Sequence, residues 1–283
     1  MAENKKAMVL IPTYNECDNI ERMVKTILKL EPEFYITIVD DNSPDGTGQI
    51  ADELALQYPS VYVIHRPGKQ GLGTAYVAGF KYALETGASY IFEMDADFSH
   101  DPNRLPDFLK YIEDYDLVMG SRYLNGVRVE GWRFRRLLLS KFANIYASYV
   151  MVLPIWDFTG GFRCYRREVL EAIDLDQIHS DGYAFQIEML YYTYKNEFHI
   201  KEIPFIFRER EHGESKISRH VVWEAFWLVL QLHAPLREII RHLGYLGKDY
   251  DEFVNTHPMT QKRLKTAEEK NHTHPVNDQC ESS

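Results

Sequence analysis

The sequence predicts an α/β domain with an open, mostly parallel sheet covered by helices on both faces. Three observations carry this expectation. Through the first 120 residues, apolar runs of strand length alternate with apolar residues at helical spacing. The runs are solid rather than alternating, as in strands buried on both faces. Each run is followed by polar and often acidic residues, which suits a parallel sheet presenting its carboxyl ends to ligands. An antiparallel α+β arrangement is the competing reading.

The elements follow in order. "AMVLI" (7–11) reads as a buried strand, and Ile20, Met23, Val24, Ile27 and Leu28 then repeat at helical spacing. "YITIVD" (35–40) is a second strand, "TGQIADELALQY" a helix, "VYVIH" (61–65) a strand and 74–86 a helix. "YIFEM" (90–94) is a strand, 103–114 a helix and "DLVMG" (116–120) a strand. Beyond residue 121 the pattern loosens. It gives an amphipathic helix at 134–152, a strand with a glycine pair in "FTGGFRCY" (158–165), and a helix at 183–196. "IKEIPFIF" (200–207) is a strand and 218–233 a strongly apolar helix. Composition turns polar near 236, so residues 1–235 are expected to form one main domain. Residues 236–283 form a polar extension whose end reads as disordered, and His272 and His274 there read as solvated tail residues.

Composition narrows the function classes. A length of 283 residues, 45% hydrophobic and 26% charged, suits a soluble globular chain with a sizeable core. A net charge of −10 argues against nucleic-acid binding. Three scattered cysteines, Cys17, Cys164 and Cys280, lack metal-site spacing and suit a reducing compartment. The apolar run before Pro12 is too short for a signal-peptide core. The window "VVWEAFWLVLQL" (221–232), interrupted by Glu224 and Gln231, is too short to span a bilayer. Any membrane contact is therefore expected to be peripheral or through a partner.

The expected strand ends are distinctive: "PTYNE" (12–16), "DDNSPDGT" (40–47), "RPGKQGLG" (66–73), "DADFSH" (95–100) and "GSRY" (120–123). The first holds no glycine, which excludes the dinucleotide fingerprint, and no phosphate-binding P-loop run exists anywhere. "GKQGLG" can bring backbone close to a ligand or serve only a turn. Asp95 and Asp97 are the sharpest signal. Residues i and i+2 of a strand share a face, so both carboxylates can converge just past its end. Oxygen ligands of this kind suit Mg²⁺ or Mn²⁺ bridging to a diphosphate. The bland alternative has one aspartate capping the next helix and the other solvated.

Taken as an ordered set, "IPTYNE", "VDDNSPDGT", "GLGTAYVAGF", "MDADFSHDP" and "GSRY" resemble family 2 glycosyltransferases of GT-A fold. "FTGGFRCYRREVL", "GYAFQIEML" and "HGESKI" narrow the likeness to the dolichol-phosphate mannose synthases and related polyprenol-phosphate sugar synthases. The resemblance covers residues 6–234. It implies transfer of a sugar, foremost mannose from GDP-mannose, to a polyprenyl phosphate with inversion at the anomeric carbon. It implies that Pro12, Tyr14, Glu16 and Asp41 hold the nucleoside and that Val39 lines the base pocket. Asp95 would meet the nucleotide-sugar and, with Asp97, the metal. The family often has a glutamine two residues after the second aspartate; Ser99 stands there, so its hydroxyl or a water would complete the metal's ligands. Arg122, Arg136 and Ser140 are implied as ligands of the acceptor phosphate, with Arg210 and Lys216 completing the cradle. Asp95, Asp97 and Arg122 form the implied catalytic set.

The residues agree in part. Between 122 and 141 stand six Lys or Arg against Glu130, a local excess that suits a phosphate because arginine forks fit its oxygens. A solvated basic helix face is the plainer reading. A phosphate acceptor is already anionic and needs no strong base. Relatives that act on hydroxyls carry an R-W pair after the equivalent of Gln186, which is missing here. Asp181 could still act as a base. Two other functions stay open: a family 2 transferase using UDP-glucose or a hydroxyl acceptor, and an inactive nucleotide-sugar-binding scaffold. The stripes Phe134, Leu137, Leu138, Phe142, Ile145, Tyr149 and Trp223, Phe226, Trp227, Leu230 could rest on a membrane at its cytoplasmic face or pack in a core. A small membrane partner protein is the alternative anchor.

Overall fold

A computed structural model describes residues 5–209, apart from 133, 152 and 154, together with 228 and 229. All of them fall in one compact unit, Met1–Leu232. The expected helix at 218–233 therefore lies outside the described residues except at Leu228 and Val229, as do Arg210 and Lys216.

The fold opens with alternating strands and helices: β1 (Ala7–Thr13), α1 (Ile20–Ile27), β2 (Phe34–Asp40), α2 (Thr47–Gln57), β3 (Val61–His65), α3 (Leu72–Glu85), β4 (Tyr90–Glu93), α4 (Leu105–Ile112) and β5 (Leu117–Ser121). It continues through β6 (Val129–Glu130), α5 (Phe134–Met151), β7 (Arg163–Arg166), α6 (Arg167–Ala172), α7 (Gly182–Lys195), β8 (Ile200–Pro204) and β9 (Phe207–Arg208). Seven strands form one sheet in the order β3-β2-β1-β4-β7-β5-β8, while β6 and β9 pair separately. All sheet pairings are parallel except those of β7, which runs antiparallel between β4 and β5. The sheet is thus mostly parallel, as expected.

Alternate residues of β1 feed opposite cores. Val9 and Ile11 pack with α1, α2 and α4, whereas Met8 and Leu10 face α3, α6 and α7. Helix α1 buries Ile20, Met23, Val24 and Ile27, the spacing read from the sequence. Pro12 is tolerated inside β1 because β4 pairs only as far as Leu10, so the missing N–H falls beyond that ladder. Strand order reverses between β1 and β4, and the crevice at their carboxyl ends is where ligands of such sheets sit.

Several boundaries differ from expectation. The glycine pair Gly160-Gly161 precedes β7 rather than lying within it. A Cβ on Gly160 would lie 3.1 Å from the Gly120 carbonyl oxygen, so this loop runs against β5. The expected strand 200–207 is split in two. Phe205 turns into the core, and Phe207 pairs with Val129 of β6. The expected helix 103–114 opens with a 3-10 turn at Pro102–Arg104, capped by the Asp101 side chain accepting from Asn103 N–H. Helix α6 was not anticipated; it is too short to show a period.

Candidate active site

A cavity of about 340 Å³ opens at the strand-order reversal. One end is built from the loops after β1, β2 and β3. Pro12, Tyr14, Glu16, Asp41 and Lys69 line it. Asp40 fixes these loops: it accepts from the Thr13 hydroxyl at 3.0 Å and from Ser43 Oγ at 2.6 Å. Glu16 N–H donates to Thr47 Oγ1 at 2.9 Å, and Glu16 accepts from Asn19 Nδ2 at 2.9 Å. Buried Arg66 lies 3.0 Å from Asp41. Burial nevertheless raises the Asp41 carboxyl above its ordinary pKa, with Arg66 opposing. Lys69 Nζ stands 4.5 Å over the Tyr14 ring, so this end carries a cation, an aromatic face and carboxylates together.

Asp95 and Asp97 line the middle of the cavity. The turn carrying them is held from several sides. Asp95 N–H donates to His100 Nδ1 at 3.2 Å, and Ser99 N–H donates to Asp97 Oδ1 at 3.0 Å. The His100 ring stacks on Phe162 at 5.0 Å. Phe98 adopts φ +60°, a left-handed conformation that a bulky residue holds only when its surroundings enforce it. Arg22 lies 4.0 Å over the Phe98 ring. The Ser99 hydroxyl, in the same turn, is buried and has no hydrogen-bond partner among the described residues. Among the described residues no group of three His, Cys, Asp or Glu side chains could hold a metal by itself. Two carboxylates and an orphaned hydroxyl instead fit a hard divalent cation that takes its remaining ligands from a substrate diphosphate.

Arg122 lines the far side and is 3% exposed, which demands a partner. Asp157 supplies it: Arg122 Nε and Nη2 donate to its two oxygens at 2.7 and 2.6 Å, and Arg122 N–H donates to it at 2.9 Å. Thr159 Oγ1 accepts from Nη2 at 2.6 Å. Burial works against both charges, but each partner offsets it: Asp157 stays below the usual carboxylate pKa and Arg122 above its own. Behind them, Glu202 accepts the N–H groups of Trp156 and Asp157 at 2.9 and 3.0 Å. Fully buried Arg163 shapes the neighbouring loop by donating to the carbonyls of Phe158, Gly160 and Gln186.

Next to Arg122, Arg136 stacks 4.1 Å from the Trp132 ring, and both residues line the cavity. Arg136 Nη1 lies 3.4 Å from Glu209. Below the acidic pair, Glu93 is wholly buried and accepts from Gln186 Nε2 at 2.7 Å. Burial raises the Glu93 pKa to about 7, with Arg163 opposing. Asp181 also lines the cavity; its Oδ1 accepts Gly73 N–H at 2.8 Å at the start of α3.

The structure therefore brings Pro12, Tyr14, Glu16, Asp41, Asp95, Asp97, Arg122 and Arg136 to one cavity. Val39, Ser99 and Ser140 are not among its lining residues: Val39 is buried, and Ser140 Oγ accepts from the Tyr123 hydroxyl at 2.7 Å. Sequence reasoning missed Lys69, His100, Trp132 and Thr159 as lining residues. Lys69 and His100 stood inside stretches already singled out; Trp132 carried no signal until folding set it beside two arginines.

Residues 8–174 match the family described as glycosyl transferase family 2. The polyprenol monophosphomannose synthase of Mycolicibacterium smegmatis is 47% identical over 229 residues, covering 80% of this chain and 86% of that protein. The undecaprenyl-phosphate mannosyltransferase of Micrococcus luteus is 44% identical over 220 residues, covering 78% of this chain and 90% of that protein. Among solved structures, glucosyl-3-phosphoglycerate synthase from Mycobacterium tuberculosis, in complex with Mn²⁺, UDP-glucose and phosphoglyceric acid, has a TM-score of 0.61 at 17% identity. It covers 81% of this chain and 80% of its own. The same enzyme with Mn²⁺ and UDP-glucose gives a TM-score of 0.62 at 17% identity, covering 81% and 79%. This likeness shows the fold, that of the GT-A glycosyltransferases.

Proposed function

The chain belongs to glycosyl transferase family 2, and from that premise we propose that it transfers mannose from GDP-mannose to a polyprenyl phosphate with inversion. It is a glycosyltransferase; the donor, acceptor and stereochemistry are the proposal. The observation that carries it is the joining of two kinds of chemistry in one cavity. The carboxylate pair and the polar residues Tyr14, Glu16, Asp41 and Lys69 line the same cavity as Arg122 and Arg136. The two mannosyltransferases above 40% identity support the same reading.

In this mechanism Tyr14, Glu16, Asp41 and Lys69 hold the nucleoside. Asp95 and Asp97, with Ser99 in their turn, would hold Mg²⁺ or Mn²⁺, which when bound neutralises charge on the leaving diphosphate. Arg122 and Arg136 orient the acceptor phosphate. An oxygen of that phosphate forms the new bond to the anomeric carbon. The bond to the diphosphate breaks with its electron pair leaving on GDP. The phosphate is already anionic, so no residue need remove a proton. Asp181 then serves position rather than base catalysis, since it anchors Gly73 N–H. Ser140 acts through Tyr123, and Arg210 and Lys216, outside the described residues, are proposed as further ligands of the acceptor phosphate. Val39 closes the base pocket from the sheet.

We further propose a peripheral seat at the cytoplasmic face of a membrane, with residues 1–235 as the catalytic domain and 236–283 as an extension. Among the described residues no helix is long and apolar enough to cross a membrane. Helix α5 nevertheless exposes Phe134, Leu138, Phe142, Ile145 and Tyr149, the last 85% exposed. That aromatic and aliphatic face suits an interface.

The test supplies labelled GDP-mannose or UDP-glucose with a short polyprenyl phosphate in detergent, with Mg²⁺, Mn²⁺ or EDTA. Metal-dependent, lipid-extractable mannose from GDP-mannose supports the proposal. Lipid product from UDP-glucose alone overturns the donor. Metal-dependent donor hydrolysis without lipid product overturns the acceptor and favours a hydroxyl.

A further inference from the structure

Arg122 spends Nε and Nη2 on Asp157 and Thr159. Trp132 Nε1 and Arg136 Nε are both buried and make no hydrogen bond among the described residues. A buried donor without an acceptor costs on the order of 1–3 kcal/mol, so two in adjoining residues call for an explanation. These residues also line the same cavity and stack on each other, with the Arg136 guanidinium 4.1 Å and that of Arg122 5.6 Å from the Trp132 ring. The indole is thus flanked by two cations and closed against Phe207 at 5.3 Å. Orphaned donors among guanidinium groups in a cavity wall describe a site waiting for an oxyanion.

We propose that the Trp132 indole N–H is a direct ligand of the acceptor's phosphate, and that its ring fixes Arg136 for the same anion. This rests on the phosphate-acceptor reading and deepens it. Indole N–H is a donor only and carries no charge. It therefore adds direction to a site whose arginines add charge. It adds to the expected contribution of Ser140, whose oxygen accepts from the Tyr123 hydroxyl and whose own O–H is still able to donate.

The test compares the unmodified full chain with Trp132→Phe, which keeps a ring under Arg136 and removes the N–H. Initial rates are measured with GDP-mannose and Mn²⁺ against short polyprenyl phosphate and against the same polyprenol without phosphate. Trp132→Phe should raise KM for the polyprenyl phosphate about tenfold, as loss of a hydrogen bond to a charged group does. KM for GDP-mannose should move less than about twofold. An unchanged acceptor KM overturns the proposal while leaving the phosphate-acceptor reading intact. An unmodified chain that uses only the dephosphorylated alcohol overturns both. Indole emission of the unmodified chain gives a reading that needs no folded variant. Polyprenyl phosphate, and not the alcohol, should shift it, and absence of a phosphate-specific shift overturns the assignment.

Discussion

Asp157 is not among the residues that line the cavity, yet the cavity's far wall depends on it. It holds Arg122 through both oxygens and a backbone N–H. Asp157→Ala leaves a buried guanidinium unpaired and should cost about 3–5 kcal/mol, read as a lower denaturant midpoint. Glu93 makes a second prediction. Its folded pKa of about 7 lies above the unfolded value of 4.5. Its contribution is fully present below about pH 4.5 and is lost as pH rises through about 7. Stability should therefore fall by on the order of 3 kcal/mol from this group alone on going to about pH 8. Denaturation of Glu93→Gln across that range should show the dependence flattened. Roles at this scale were legible where residues cluster in sequence, as at Asp95 and Asp97. Asp157 and Glu202 stand far in sequence from the residues they serve. No local spacing reveals an arginine whose partner lies 35 positions on.

Helix α5 shows how an element can satisfy a pattern in an unexpected way. Its apolar stripe was readable, but a stripe says only that a face wants burial. The structure leaves Phe134, Leu138 and Phe142 exposed and turns Asn144, Ala147 and Met151 inward. Asn144 earns its burial by accepting Phe158 N–H at 2.7 Å, ahead of the glycine loop. Leu138→Glu on the exposed face should leave the unfolding free energy within about 0.5 kcal/mol of the parent. It should also cut transfer to acceptor in vesicles several-fold while sparing acceptor in detergent. Equal activity in vesicles would remove α5 from the membrane. The βα elements before residue 121 were legible because each buries a regular period. Strand β7, with four residues and a glycine pair before it, has too few positions to announce a direction.

At the scale of the molecule the cavity joins two halves of one sheet: loops after β1–β3 on one side and residues following β4, β5 and α5 on the other. A ligand that touches both halves should stabilise the unit as a whole. GDP with Mn²⁺ at about 100 times its Kd should add about 2.7 kcal/mol, seen as a raised melting temperature that EDTA abolishes. No rise with metal present would detach the carboxylate pair from the diphosphate. The sheet's order has one more consequence, for the chain as it is being made. Strands β1 to β4 find their neighbours as soon as they emerge, since the connections are local. Strand β5 cannot join them, because β7 must first insert between β4 and β5. Until about residue 166 has left the ribosome, one edge of β4 and both edges of β5 are unpaired. The nascent chain therefore passes through a window in which the first half of the sheet is complete and the second is a loose, pairing-prone end. That is the interval in which a chaperone has most to protect.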